Sequence, residues 1–265
     1  ELGKAPFRVS HTGAAETKIA GVPCHVIPGL SAFVGGDITA GILACGMLEQ
    51  EAPMLLIDLG TNGEMALGNR HKLHACATAA GPAFEGGANR GIWGADMVRL
   101  LQKLLEEGLM DRQGLLKEPY FTEGVRIGDV LVTKESVRAI QLAKGAIAAG
   151  IEILAESYGI RLADISKVVL AGGFGYYLDP GAAAAIGLLP KELIFRTVTG
   201  GNTALSGAAL VGSRILAAGS CHTAETVSRN DWDDLQKRQD LQIRILNLAE
   251  EERFPEIFLT KMDFA

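Results

Sequence analysis

Cysteine is scarce in this chain, and its spacing is unlike that of a metal-cluster protein. The 265 residues include four cysteines, Cys24, Cys45, Cys76 and Cys221, and no two of them form a Cys-x-x-Cys pair. Iron-sulfur ligation normally uses cysteines that lie close together in one loop. We therefore expect no cluster on this chain, and we expect its thiols to be reduced and largely buried, as in a cytoplasmic protein.

The chain also has no block of Lys and Arg and no long apolar run. The formal net charge of -6 argues against a nucleic-acid-binding surface, whose affinity depends on neutralising phosphates. Gly and charged residues break the longest apolar runs well short of the ~20 residues that a membrane span needs. With 48% hydrophobic residues, the sequence predicts a soluble globular protein with a large core in one or two domains.

Two glycine-containing segments follow predicted buried strands. Residues 168–175 read Val-Val-Leu-Ala-Gly-Gly-Phe-Gly, so an apolar β-branched strand runs into glycines that leave the backbone open to a flat ligand. Residues 54–67 contain Asp-Leu-Gly-Thr-Asn-Gly-Glu between two apolar runs. Together they predict a nucleotide site.

Each segment has a simpler interpretation. Asn62-Gly63 between apolar runs is typical of a plain hairpin whose two turn residues take positive φ, and Gly172-Gly173 is compatible with an ordinary strand exit. The nucleotide interpretation gains support because Asp58 stands at a strand end beside the Gly-Thr-Asn-Gly tip. The hydroxyl of Thr61 and the amides of the tip can face a phosphate.

Hydrophobic periodicity and end signals predict alternating strands and helices. We expect an irregular lead-in over 1–21, and Asp37 and Thr133 are predicted to cap helices. The predicted strands are 22–27, 54–59, 64–68, 72–78, 168–171, 193–198 and 242–246. The predicted helices are 38–48, 95–107, 134–158, 180–186, 203–217 and 255–262.

This order of elements is the ribonuclease-H-like layout, an α/β fold with a mixed sheet and helices on both faces. The sequence at 58–63 resembles the second phosphate loop of the superfamily of actin, sugar kinases and heat-shock chaperone ATPases. The sequence at 170–175 resembles its adenosine motif. The helices at 37–48 and 203–217 are rich in small residues and fall where that superfamily has its two interdomain connecting helices.

More narrowly, nearly the whole chain resembles the C-terminal ASKHA-type domain of reductive activators of corrinoid enzymes, and 79–86, Ala-Ala-Gly-Pro-Ala-Phe-Glu-Gly, is the most specific part. Those activators are iron-sulfur proteins that use ATP to drive electron transfer to an inactivated cobalamin. The resemblance implies ATP and Mg²⁺ as cofactors. It implies a corrinoid protein or a corrinoid-dependent methyltransferase as partner, and it allows a homodimer.

The resemblance also implies roles for individual residues. Asp58 would hold Mg²⁺ through water or orient the attacking water, with Glu64 and Glu85 as further acidic candidates. Lys144, on the apolar stripe of its helix, would border the adenine pocket or be a structural lysine at the edge of the core. The β- and γ-phosphates would be bound by Gly60, Thr61, Asn62 and Gly63, and the ribose and adenine by Gly172, Gly173 and Phe174.

The resemblance divides the chain into three parts. Residues 1–50 would be a remnant of a first lobe with the first connecting helix, 51–220 the nucleotide-binding lobe, and 221–265 an extension packed on that lobe. Residues 1–36 contain no match to the superfamily's first phosphate loop. The resemblance implies a [2Fe-2S] cluster only in an upstream domain. Because the first phosphate loop is not matched, we expect ATPase activity in the full-length protein and no turnover by these 265 residues alone.

Two other functions stay open at the level of sequence. A sugar or acid kinase of the same superfamily would use a similar phosphate loop and adenosine motif. A non-catalytic assembly module would use the glycines only for helix packing and the acidic surface for a partner protein.

Overall fold

The computed structural model of the chain describes residues 15–19, 22–79, 94–127, 130–217 and 241–265. The strands are β1 Ala15–Ile19, β2 Val22–Val26, β3 Met54–Leu59, β4 Gly63–Gly68, β5 Lys72–Thr78, β6 Val125–Ile127, β7 Val130–Val132, β8 Lys167–Ala171, β9 Thr197–Gly201 and β10 Gln242–Leu246. The helices are α1 Gly36–Ala44, α2 Gly94–Glu106, α3 Tyr120–Glu123, α4 Lys134–Tyr158, α5 Gly172–Gly175, α6 Pro180–Ala185, α7 Thr203–Ala217 and α8 Phe254–Met262. Single 3₁₀ segments span Met47–Glu49, Leu162–Asp164 and Lys191–Arg196.

The main sheet has six strands in the order β10-β5-β4-β3-β8-β9. Strands β3, β4 and β5 form an antiparallel meander, whereas β8 joins β3, β9 joins β8 and β10 joins β5 in parallel. The predicted α/β fold with a mixed sheet is confirmed, and the strand from the C-terminal region extends the edge of that sheet.

Alternating side chains of the sheet build one apolar core on each face. In β3, Leu55 and Ile57 belong to the core under α4 and α2. Met54 and Leu56 belong to the core under α1. Because successive strand residues point to opposite faces, Asp58 lies on the α1 face of the sheet.

Helix α4 begins and ends where the sequence predicts. The hydroxyl of Thr133 accepts a hydrogen bond from the amide of Ser136 at 3.3 Å, which satisfies one free donor of the first turn. Gly159 follows the helix with φ of 84°, a left-handed conformation that glycine adopts without steric cost. The helix packs against β4 and β5 with most of its inward face buried.

Helices α1 and α7 cross with their backbones in close contact. A Cβ atom added at Gly207 would collide with the carbonyl group of Ala40 in α1. A Cβ atom at Gly41 would lie 3.0 Å from Oγ1 of Thr203 in α7. The small residues of both predicted helices are therefore required for this approach.

Three local predictions are wrong. Part of the predicted irregular lead-in forms β1, which pairs antiparallel with β2, because a hairpin needs only backbone pairing and no strong apolar pattern. The predicted strand 193–198 is a 3₁₀ segment followed by β9. The guanidinium of Arg196 donates to the carbonyl of Ile165 at 2.9 Å, and the Thr197 hydroxyl donates to the Leu193 carbonyl at 2.7 Å, which favours a turn.

The third wrong prediction is the cap of α1. The helix starts at Gly36, with Gly35 as its N-cap and no side-chain cap, so Asp37 lies inside the first turn. It ends at Ala44, earlier than predicted. Within the described ranges, no helix has both the length and the apolarity needed to cross a membrane.

The contact between α1 and α7 can be tested with two glycines of α7. We expect Gly207→Ala to lower the free energy of unfolding by about 1–3 kcal/mol, because the new methyl group has no room beside Ala40. Gly212→Ala is the matched control, since its Cβ would meet no atom within 4 Å and should stabilise the helix by up to ~1 kcal/mol. Urea denaturation of both variants measures the difference, and equal stabilities would contradict the packing.

Candidate functional site

Asp58 is held at the C-terminal end of the central strand β3 by pairing on both sides. Its Cα partner in β4 is Glu64 and its partner in β8 is Ala171. Directly paired residues of antiparallel strands point to the same face, so the Asp58 and Glu64 carboxyl groups lie together on the α1 face. The register thereby joins the predicted phosphate hairpin to the predicted adenosine motif.

The tip of this hairpin differs from the predicted Asn-Gly turn. Gly63 pairs with Leu59 as the first residue of β4 and does not have positive φ, so the loop consists of Gly60, Thr61 and Asn62. The amide of Gly60 donates to the carbonyl of Asn62 at 3.0 Å. Gly63 is needed for space, because a Cβ there would lie 3.1 Å from Cγ1 of Ile147 in α4.

The two glycines after β8 differ in what surrounds them. Gly172 has φ of 84°, and a Cβ there would collide with the Asp58 carboxylate and lie 2.6 Å from the Leu59 carbonyl oxygen. A Cβ at Gly173 would meet no atom within 4 Å. Gly172 is therefore required by the fold beside Asp58, whereas Gly173 leaves open space over the backbone, as a cradle for a flat ligand requires.

Asp37 is a third carboxylate of this group, which the sequence predicts only as a helix cap. Its position in the first turn of α1 brings it to the hairpin, and the Gly35 amide just before it donates to Oε1 of Glu64 at 3.2 Å. The sequence feature that could have identified Asp37 is its position as an acidic residue at the start of a predicted connecting helix. In the described part of the chain, no Lys, Arg or His forms an ion pair with Asp37, Asp58 or Glu64.

Burial and crowding make two of these carboxyl groups weak acids. Burial, with the charge of Asp37 as a smaller cause, raises the pKa of Asp58 to about 6. Burial is also the largest cause of the raised pKa of Glu64, and the charges of Asp37 and Asp58 add to it. The hydrogen bond from the Gly35 amide opposes these effects, and the pKa of Glu64 rises to about 7. Raised pKa values of this kind are typical of carboxyl groups at sites that bind a cation or transfer a proton.

The structure does not bring Lys144 into this group. Its side chain is fully buried, and its ammonium group donates to the Lys261 carbonyl at 2.7 Å and also to the Asp263 carbonyl. The Phe264 ring centroid lies 4.9 Å away. Lys144 thus fastens the C-terminal segment to α4, and burial lowers its pKa to about 8. Glu85 lies outside the described residues.

A cavity of about 840 Å³ lies against one side of the phosphate hairpin, and we call it the hairpin cavity. Asp37, Asn62 and Glu64 line it, together with Thr78 at the end of β5. Its apolar wall comes from α4, the end of β10 and α8, through Leu142, Ala146, Leu248, Phe254 and Phe258. Asp58 and the glycines after β8 are not among the residues that line it.

Comparison with known proteins assigns the fold. Residues 52–90 and 87–265 match the family described as the C-terminal domain of RACo, the ASKHA domain. The chain belongs to this family. A solved structure, the "Reductive activator for corrinoid,iron-sulfur protein", superposes with a TM-score of 0.73 at 26% identity over 92% of this chain and 45% of that chain. A nucleotide-binding fold is thereby established for this ASKHA domain.

Two curated relatives have related names. The "Corrinoid activation enzyme RamQ" of Eubacterium limosum is 31% identical over 86% of this chain and 49% of the relative. The "[Co(II) methylated amine-specific corrinoid protein] reductase" of Methanosarcina barkeri is 26% identical over 69% of this chain and 43% of the relative. The chain spans about half the length of these relatives. The matches do not favour a sugar kinase or an assembly module.

Glu64 makes the stability of this ASKHA domain depend on pH. The pKa of Glu64 is raised from the usual 4.5 to about 7, so the folded state binds this proton more tightly than the unfolded state does. The resulting stability is fully present below pH 4.5 and is lost as the pH rises through about 7. We expect Glu64→Gln to reduce the loss of stability between pH 5 and pH 8 by on the order of 1 kcal/mol, less than the full shift implies because water screens a half-buried carboxylate.

The measurement is urea denaturation at several pH values. The glutamine keeps an oxygen that accepts the Gly35 amide, so only the charge is removed. Glu123→Gln changes an exposed acid of α3 and should leave the pH dependence as in the wild type. An unchanged slope in Glu64→Gln would show that the carboxyl group is not crowded.

Proposed function

We propose that this chain is the ATP-binding and ATP-hydrolysing part of a reductive activator of corrinoid proteins or corrinoid-dependent methyltransferases, coupling hydrolysis to low-potential electron transfer. The observation that carries the proposal is the register that sets the Asp58 carboxylate beside Gly172, with open backbone at Gly173, in a chain that belongs to the ASKHA family. A cytoplasmic location and a homodimeric state belong to the same proposal.

The residues present fit a nucleotide with Mg²⁺. Gly173 would lie under the ribose and adenine, with Gly172 and Phe174 on either side. Mg²⁺ usually keeps several waters and takes one or two carboxylates in addition to phosphate oxygens, and Asp58 would hold it in that way or orient the attacking water. The described residues contain no group of three or more His, Cys, Asp or Glu side chains suited to a metal ion, so phosphate oxygens would complete the coordination.

The hairpin tip would bind the phosphates. Its Gly60-Thr61-Asn62 loop and the adjoining Gly63 offer backbone amides and a hydroxyl group, the donors that phosphate oxygens accept. Phosphoryl transfer needs mainly positioning and charge stabilisation from the protein. Glu64 and Asp37 lie next to Asp58, and they would help to orient water and to neutralise the charge of the cation. ATP, when bound, supplies the phosphoanhydride bond whose hydrolysis drives a change of shape.

The two cysteines whose side chains the structure describes, Cys45 and Cys76, are not arranged to share an iron-sulfur cluster. Cys45 packs at the core under α1 and Cys76 is buried in the core on the opposite face of the sheet, so they cannot ligate one cluster. In this proposal a [2Fe-2S] cluster is held by another part of the activator, and electron transfer is a property of the whole activator.

The open space over Gly173 gives a test of the adenosine site. We expect Gly173→Val in the full-length protein to abolish binding of Mg-ADP while the fold and stability stay close to the wild type. A Cβ at this position meets no protein atom within 4 Å, and the side chain would occupy the place proposed for the sugar. Titration calorimetry with millimolar Mg-ADP measures the binding. Gly212→Val on α7 is the control, since a Cβ at that position also meets no atom within 4 Å; unchanged affinity in folded Gly173→Val would refute the assignment.

Asp58 gives a test of the chemical role. We expect Asp58→Asn, in the longest form of the protein that the gene encodes, to keep nucleotide binding and to lower the rate of ATP hydrolysis by about a hundredfold or more, as loss of a preorganised charge contact does. Phosphate release under single-turnover conditions measures the step. Hydrolysis equal to the wild type per folded molecule would show that Asp58 only stabilises the hairpin.

A further inference from the structure

Two tyrosine rings are exposed directly after the glycines that follow β8. Tyr176 is 52% exposed and Tyr177 is 61% exposed. Their ring centroids lie 4.8 Å apart with an interplanar angle of 80°, the edge-to-face arrangement that aromatic pairs prefer. The two rings therefore hold each other in place while a large aromatic surface stays open to a flat ligand.

The fold fixes this pair at the carboxyl ends of β8 and β9. The amide of Tyr176 donates to the carbonyl of Gly172 at 3.2 Å, and the amide of Tyr177 donates to the carbonyl of Phe174 at 3.2 Å. A Cβ at Gly201, the last residue of β9, would lie 3.6 Å from Cδ2 of Tyr176. The ring of Tyr176 thus lies against the end of β9, at the sheet edge where parallel strands of α/β folds bind their ligands.

The side chain of Tyr177 projects on the side of the turn that Gly173 leaves open. Tyr176 has helical dihedral angles, with φ of -63° and ψ of -36°, so the turn of α5 continues through it. Residues four apart in such a turn share one face, as Gly173 and Tyr177 do. The ring of Phe174 is only 8% exposed and belongs to the core under α4, so it does not offer its face to a ligand.

The carboxylate and the amide that follow the two strands are held in helix caps. Oδ1 of Asp179 accepts the amide of Ala182 in α6 at 2.7 Å. Oδ1 of Asn202 accepts the amide of Leu205 in α7 at 2.8 Å. The surface beside the open backbone is therefore mainly aromatic, and it suits a ligand that is recognised by its flat face.

We propose that Tyr177 is the stacking surface for the nucleobase and that Tyr176 positions its ring from the end of β9, so that adenine and guanine bind about equally well. The inference rests on the proposed function, because it requires the sugar to lie over Gly173. Stacking on an aromatic side chain tolerates different bases, since every base has a flat face. A purine buries more apolar surface on the ring than a pyrimidine does.

Titration calorimetry of the full-length protein with Mg-ADP, Mg-GDP and Mg-UDP tests the proposal. We expect the wild type to bind Mg-ADP and Mg-GDP with affinities within about threefold of each other, and Mg-UDP more weakly. Tyr177→Ala should weaken Mg-ADP by about tenfold or more, as loss of a stacking side chain does. It should also remove most of the preference for Mg-ADP over Mg-UDP, whereas Tyr177→Phe should keep both.

Two further variants separate stacking from positioning. Tyr176→Ala should reduce the preference for Mg-ADP over Mg-UDP by a smaller factor, and Tyr176→Phe should restore it, because the contact with Gly201 needs only the ring. Phe195→Ala is the matched control. Its ring is 99% exposed but precedes β9, at the opposite end of that strand from Gly201, so all three affinities should stay as in the wild type.

Other results would overturn the proposal. Equal weakening of Mg-ADP and Mg-UDP in Tyr177→Ala would show that the residue only supports the turn. A wild-type preference of about tenfold or more between Mg-ADP and Mg-GDP would show that hydrogen bonds read the edge of the base. If Gly173→Val loses Mg-ADP while Tyr177→Ala keeps the wild-type affinity, only this inference fails. If folded Gly173→Val keeps that affinity, the adenosine site of the proposed function fails as well.

Discussion

The register of the central strand β3 is the constraint on which the other features of the site depend. Asp58 pairs with Glu64 on one side and Ala171 on the other, and a shift of one residue would turn Asp58 into the opposite core. The alternating apolar residues of β3 hold that register because both faces of the sheet are buried. The same pairing sets Gly172 against the Asp58 carboxylate, so two segments about a hundred residues apart in sequence lie side by side.

The contact between α1 and α7 positions the third carboxylate. Close packing at Gly41 and Gly207 draws α1 onto the sheet face that carries Asp58 and Glu64, and the first turn of α1 then presents Asp37 to them. Negative charge is favoured near the N-terminus of a helix, which offsets part of the repulsion within the group. Helix packing and the electrostatics of the carboxylates are therefore linked. A change at the contact between α1 and α7 should also change the electrostatic environment of the carboxylates.

The C-terminal segment is held to the rest of the domain by polar contacts with α4. Lys144 donates to two carbonyl groups at the C-terminal end of α8, those of Lys261 and Asp263. The side chain of Lys261 forms an ion pair with Glu152 of α4 at 2.6 Å. Helix α8 is thus fastened to α4 while its two phenylalanines face the hairpin cavity. This role explains a fully buried lysine, because its ammonium group satisfies two carbonyl groups at the end of α8 and lies over the Phe264 ring.

The strands β3, β4, β5 and β8 and both ends of α4 could be predicted from the sequence, because periodicity, Thr133 and Gly159 act over a few neighbouring residues. The same holds for the prediction that two glycine segments follow buried strands. The sequence did not determine the role of Asp37, the three-residue hairpin loop, the function of Lys144 or the hairpin cavity. Each of these depends on contacts between segments far apart in sequence, such as Gly63 against Ile147 and Lys144 against the C-terminal end of α8. These features follow from the packed fold, since the space around a side chain and the crowding of charges exist only once the helices lie on the sheet.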